Sequence, residues 1–239
     1  MLLSLLAISL LIQNPYLGYF TIGGLLGAGL NYFQFGFRTC SQQLLSDGRT
    51  LGIRSVLIML AVTTFLFFPL LEIGHYSTPK LTGFVQPLSL SVIFGAFIFG
   101  VGMQLSNGCT SGTLNKLGQL QPLSFTAFIF LLVGGTLAAY HHEFWRAVPA
   151  LNAISLPQTF GWFPALILQL GVIALLYRWL LAREKKRYQD VVPLIPSFKN
   201  IRQWHPWLLA GILLALLNTL LLITSGQPWS IANIFPLWG

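Results

Sequence analysis

Apolar residues along this chain fall into long blocks, separated by short polar intervals that carry glycine, proline or charge. A block of ~20 apolar residues can cross the ~30 Å hydrocarbon core of a bilayer as a helix. Six blocks have that length: Pro15–Phe33, Leu51–Ile73, Leu88–Leu105, Pro122–Tyr140, Phe160–Ala182 and Pro206–Thr224. Met1–Ile12 is apolar but too short to span alone, and Asn14-Pro15 turns the chain or kinks one longer first helix. After the last block, Ser225–Gly239 contains Gln-Pro-Trp-Ser and a further apolar stretch that stops before it could cross. The pattern predicts an all-α, polytopic integral membrane protein with one transmembrane domain over 1–239.

One interval does not read as a plain span. Gly100–Gly118 runs from an apolar stretch, without a charge, into Asn-Gly-Cys-Thr-Ser-Gly-Thr, with glycines at 108, 112 and 118 around Cys109. Non-helical backbone at membrane depth is tolerated only where it is packed in protein or lines a polar cavity. A broken or re-entrant helix meeting at Cys109 is therefore expected. Cys40 lies in a second such place, Asn31-Tyr-Phe-Gln-Phe-Gly-Phe-Arg-Thr-Cys-Ser-Gln-Gln, where a glycine and a glutamine again precede the cysteine and a hydroxyl follows it.

Composition agrees with the pattern and adds direction. The chain has 239 residues, only 8% of them charged and 55% hydrophobic, against about 25% charged in soluble domains. The net charge of +8 is not a nucleic-acid signal, because it is clustered. Arg183, Lys185, Lys186, Arg187, Lys199 and Arg202 fall in one interval, 183–205, expected to be a basic cytoplasmic loop. Alternation then places Arg38, Arg49, Arg54, Lys116 and Arg178 on the same side, and of thirteen lysines and arginines only Lys80 and Arg146 lie outside. On this count Arg38 and Lys116 read as topology determinants before ligands. Glu72, Glu143, His75, His141 and His142 sit at external helix ends, and no carboxylate lies mid-span, where proton-coupled carriers usually hold one. The first cationic residue is Arg38, so the start of the chain lacks the basic region of a cleaved signal peptide. Trp145, Trp162, Trp204 and Trp207 read as interface anchors, and Gly23, Gly24, Gly27 and Gly29 as close-packing sites between helices.

The chemistry of the Cys109 segment points to an anion. Glycines let successive N–H groups converge, and a half-helix beginning there adds its positive end. Asn107, Gly108, Gly112 and Gln104 supply the curl and its polar edge, and Thr110, Ser111 and Thr113 supply hydroxyl donors. A protonated thiol is a weak donor suited to a large, polarisable acceptor such as sulfur. Cys40 is the expected partner, although a cysteine in a membrane helix can equally be a small hydrophobe. Two cysteines far apart, with no Cys-x-x-Cys or Cys-His spacing, make no metal signature, and no cofactor motif is present.

Gly-Met-Gln-Leu-Ser-Asn-Gly-Cys-Thr-Ser-Gly-Thr-Leu resembles the signature of the YeeE/YedE family of sulfur-transport membrane proteins. Phe35-Gly-Phe-Arg-Thr-Cys, Ser225-Gly-Gln-Pro-Trp-Ser and Phe235-Pro-Leu-Trp-Gly are similar to further stretches of that family. The resemblance implies thiosulfate, or a related sulfur anion, taken up through a bacterial inner membrane. The anion would be passed between thiols by S–H hydrogen bonds and not cleaved, with Cys109 and Cys40 as stations. It implies no enzyme activity and no cofactor. A membrane sulfurtransferase carrying sulfur as a cysteine persulfide, or transport of a selenium anion, are the alternatives. Family members resemble two related halves with a further cysteine motif. This chain ends at Gly239 before one, so truncation, or completion by a second polypeptide, is expected. A cytoplasmic sulfur-carrier protein is a further partner under this reading.

Overall fold

A computed structural model describes residues 15–74, 81, 83–153, 155–196 and 203–231. Met1–Ile12, His75, Lys80, Lys199, Arg202 and the closing Phe235–Gly239 lie outside the described residues. Within them the fold is helical and contains no strand. In chain order the helices are α1 Pro15–Phe33, α2 Phe37–Gln42, α3 Leu51–Gly74, α4 Leu90–Leu105, α5 Thr110–Gly118, α6 Pro122–Tyr140, α7 His142–Arg146, α8 Leu156–Phe160, α9 Trp162–Tyr188 and α10 Pro206–Ser225. A single π turn, Gln43–Asp47, joins α2 to the approach to α3.

Five stretches are long and apolar enough to cross a bilayer: α3, α4 continuing into α5, α6, α9 and α10. This is a multi-pass membrane protein. The sixth expected span, Pro15–Phe33, is helical over the predicted residues, but its tyrosines, glycines and Asn31 dilute its apolar character below that of the other five.

Two modules stand apart in their packing. The first is a body in which α3 packs between α9 and α10, and α10 packs on α1. Its core joins Ile22 and Leu26 of α1, Val56 of α3 and Ala210, Leu214 and Leu217 of α10. The second is an arm of α4, α5 and α6, in which α5 packs on α6 and touches α1. Most residues of α4 and α6 are exposed, as expected of apolar helices whose solvent is lipid. A hydrogen bond of 2.6 Å from the Gln119 amide to Asn31 ties arm to body at one end.

The basic interval departs from expectation. α9 continues past Ala182 to Tyr188, so Arg183, Lys185, Lys186 and Arg187 are the closing turns of a helix and not a loop. Cations there favour the negative end of the helix, and Glu184 anchors it from within. The Glu184 carboxylate is buried and accepts from the Thr50 N–H at 3.2 Å, from the Thr50 hydroxyl and from Arg54 Nη2 at 3.3 Å. Arg49 lies 3.6 Å from its other oxygen, and Arg54 also donates to the Val192 carbonyl at 3.1 Å. The chain beyond α9 tucks back so that Leu194 packs with Leu51 and Leu208. Trp204 and Trp207 pack against the same cluster, so these two tryptophans are partly core residues.

The glycines of α1 divide: Gly29 packs on a neighbouring helix as expected, while the other three meet none among the described residues. A methyl group at Gly23, Gly24 or Gly27 would meet nothing within 4 Å among the described residues; at Gly29 it would meet Leu213 at 3.4 Å. Gly23 and Gly27 instead border an open groove between α1 and α5. Their small size leaves space where packing was expected.

Candidate functional site

α4 ends at Leu105, and the chain turns through Ser106–Gly108 before Cys109 caps the start of α5. The break is therefore two helices meeting at the cysteine. Asn107 takes a left-handed φ of 59°, which asparagine tolerates better than most residues. The Ser106 hydroxyl stitches the turn, lying 2.8 and 2.9 Å from the Gly102 and Gly108 carbonyls, either of which can accept its one proton. The Gly108 N–H donates to the Met103 carbonyl at 3.1 Å. Gly108 is a close-approach position: a methyl group there would lie 3.0 Å from the Thr113 nitrogen and 3.1 Å from its hydroxyl. Only glycine lets the turn sit this tightly against α5.

The first helical bond of α5 runs from the Thr113 N–H to the Cys109 carbonyl at 2.7 Å. The first-turn N–H groups of Thr110, Ser111 and Gly112 precede it, and the Cys109 side chain makes no cap hydrogen bond to them. Such groups are free donors at the positive end of a helix. Cys109 Sγ lies 3.4 Å from the Ser111 hydroxyl and in van der Waals range of a methyl group placed at Gly112, 3.5 Å away.

These residues form one wall of a cavity of about 250 Å³ between arm and body. Asn107, Gly108, Cys109, Ser111, Gly112, Asn115 and Lys116 come from the arm. Gln34–Thr39 lie opposite, with Met59 and Thr63 of α3 and Asn218 of α10. Trp229 closes one side. The chain reverses at Gly226, with a left-handed φ of 77°, and the Trp229 N–H donates to Asn218 Oδ1 at 2.9 Å. That bond draws the segment after α10 back along the helix. Trp229 also borders the α1–α5 groove and a smaller cleft that holds Cys109, Thr110, Ser111 and Ser230. Cys109 and Trp229 thus line both the cavity and the cleft.

Of the residues expected from sequence, the structure brings Asn107, Gly108, Cys109, Ser111 and Gly112 to the cavity wall, and places Thr110 in the adjoining cleft. Gln104 lines neither; its carbonyl accepts from the Ser106 and Asn107 N–H groups, so its part is to close α4. Cys40 is not brought to the wall. It is fully buried in the body core with Ile22, Leu26 and Val56. Gly52 lies so close that a methyl group there would be 2.8 Å from the Cys40 Cα and 3.0 Å from its sulfur. Burial, with Cys109 nearby, pushes the Cys40 thiol up to about 12, so it stays protonated at neutral pH. Its neighbours Gly36–Thr39, and not Cys40 itself, face the cavity.

Two cations that read from sequence as topology determinants before ligands also reach this site. Arg38 and Lys116 both line the cavity. Lys116 Nζ donates to the Asn107 carbonyl; Arg38 Nε is buried with no hydrogen-bond partner among the described residues. Asn115, Asn218 and Trp229 were also not singled out as site residues. The signal for Asn115 and Lys116 was present, since they lie three and four residues past Gly112 on the same short helix, the spacing that shares a helix face.

A family model described as sulphur transport matches residues 34–238, most of the chain and every cavity residue named above. The chain belongs to the YeeE/YedE sulphur-transport family. No curated protein matches it. The matched stretch starts at Gln34, the turn that opens the body's wall of the cavity, and runs past Trp229. Sulfur transport as the general role, a small sulfur anion as substrate and a lipid environment follow from membership of the YeeE/YedE family.

Proposed function

We propose that the chain carries thiosulfate, or a closely related sulfur anion, across the bacterial inner membrane through the cavity at Cys109, without breaking the substrate. The observation that carries this reading is the position of Cys109. Cys109 stands at the start of the second half of a broken helix, its thiol beside a serine hydroxyl and near the first-turn N–H groups of α5, and it lines a cavity large enough for a small anion. Amides and the helix end suit an oxyanion. The soft S–H donor suits a terminal sulfur, and a neutral donor binds weakly enough to let it go.

Covalent sulfur transfer needs a base to activate the thiol. No histidine or carboxylate lines the cavity among the described residues, which favours hydrogen bonding over a persulfide. The clustering of cations at the end of α9 supports a cytoplasmic position for that end. Import of a dianion against 100 mV, negative inside, costs ~4.6 kcal/mol. Uptake therefore draws on a steep gradient, on consumption inside the cell or on a co-transported cation.

The test is growth and uptake with thiosulfate as sole sulfur source. Wild type should support both, while Cys109→Ala reaches the membrane in normal amount and loses uptake by about tenfold or more, the loss of one essential hydrogen bond. Normal uptake by Cys109→Ala would sink the reading. A stable mass increase of one sulfur atom on Cys109 after exposure to thiosulfate would turn it into a sulfurtransferase.

A further inference from the structure

Arg38 and Lys116 come from different modules, α2 of the body and α5 of the arm, yet face the same cavity. Aspartate and glutamate are absent from the described residues that line it. Two positive charges thus share a small, partly desolvated space without compensation. That differs from the other buried or paired cations. Arg54 and Arg49 are matched by Glu184, and Arg146 by Glu143.

Both side chains keep donor capacity. The Arg38 side chain makes no hydrogen bond or ion pair among the described residues, and its Nε is buried. Lys116 spends one donor on the Asn107 carbonyl, which fixes the ammonium beside the Cys109 turn; an ammonium has three. A cation that served only to set topology would gain by pointing into water. These two are half-buried and line one cavity, so an anion that enters it meets both charges at once.

We propose that Arg38 and Lys116 form a dianion subsite that holds the oxyanion end of the substrate while Cys109 meets its sulfur end. This rests on the reading that the cavity carries a sulfur anion, and adds the rule by which it selects. A doubly charged anion neutralises the pair; a singly charged one leaves a positive charge unmatched. Recognition is then split between two chemistries. The cations read valence, and the thiol reads the soft terminal atom. A sulfate-like dianion meets the first requirement and misses the second. A singly charged thiosulfonate does the reverse.

Methanethiosulfonate anion is the probe, since it keeps the terminal sulfur of thiosulfate and carries one charge less. The full chain is reconstituted in vesicles, and uptake of labelled thiosulfate is competed with methanethiosulfonate. Wild type should prefer thiosulfate. In Arg38→Gln and Lys116→Gln that preference should shrink by about tenfold, the worth of one charge-assisted hydrogen bond. Arg38→Lys and Lys116→Arg should retain most of it. Equal loss of both anions in the glutamine variants, or a preference unchanged from wild type, overturns the proposal. These outcomes are separable from failure of the transport reading, which would show as wild-type vesicles taking up no thiosulfate at all.

Discussion

Cys109 does chemistry that its neighbours make possible, and the tightest of these neighbours is Gly108. With Thr113 backbone and hydroxyl 3.0–3.1 Å from any added methyl group, Gly108→Ala must push the turn away from α5. Overpacking of this kind costs about 1–3 kcal/mol. The expected outcome is a lower melting temperature in detergent and reduced thiosulfate uptake; Gly118→Ala, where a methyl group meets nothing within 4 Å, should leave melting unchanged. An unaltered melt for Gly108→Ala would mean that the turn can shift freely. At this scale the sequence spoke clearly for Cys109, because a cluster of glycine, serine and threonine inside an apolar run has few uses. It could not speak for Cys40. A cysteine's surroundings decide whether it is a thiol station or a small core residue, and those surroundings come from α1, α3 and α10.

Helices report their spans through length and hydropathy, but their ends are set by what they touch. Six apolar blocks were readable, and helices fill all of them. The end of α9 was not readable, because its last turns are charged and the carboxylate that anchors them is sequence-distant from its partners. Glu184 meets Thr50 and Arg54 of the segment that follows the Cys40 helix, so this contact holds α9 against the body wall of the cavity. Removing one partner of a buried ion pair strands the other charge and costs ~3–5 kcal/mol, whereas replacing both by apolar residues is often neutral. Glu184→Leu alone should therefore lower the melting temperature sharply, and Glu184→Leu with Arg54→Met should recover most of it. Additive losses in the double variant would show that the two groups act independently.

At the scale of the molecule, charge asymmetry sets the direction of insertion. Every described lysine and arginine except Arg146 lies at or towards the end that holds the close of α9 and the start of α10. A single cysteine placed at Lys186, in a chain whose native cysteines are replaced, should react with a membrane-impermeant maleimide only after the cells are opened. A cysteine placed at Glu143 should react in intact cells. The reverse labelling pattern would invert the orientation and the direction proposed for transport. The cavity belongs to this scale too, because no single element contains it. Its walls come from an arm and a body that meet through α5 and α1, with Trp229 returning from beyond α10.

The amino-acid order alone determined the helical membrane class, five of the spans, the break at Cys109 and the family. Each of these is written in local composition: hydropathy over ~20 residues, or a dense cluster of small and polar types. Only the tertiary structure decided which residues share the cavity. It brought Arg38 and Lys116 to one cavity, withdrew Cys40 into the core and left Gly23 and Gly27 of α1 bordering a groove. The reason is physical. Hydropathy depends on what a residue is, while charge pairing, exposure of a thiol and the use of a glycine depend on what packing brings next to it.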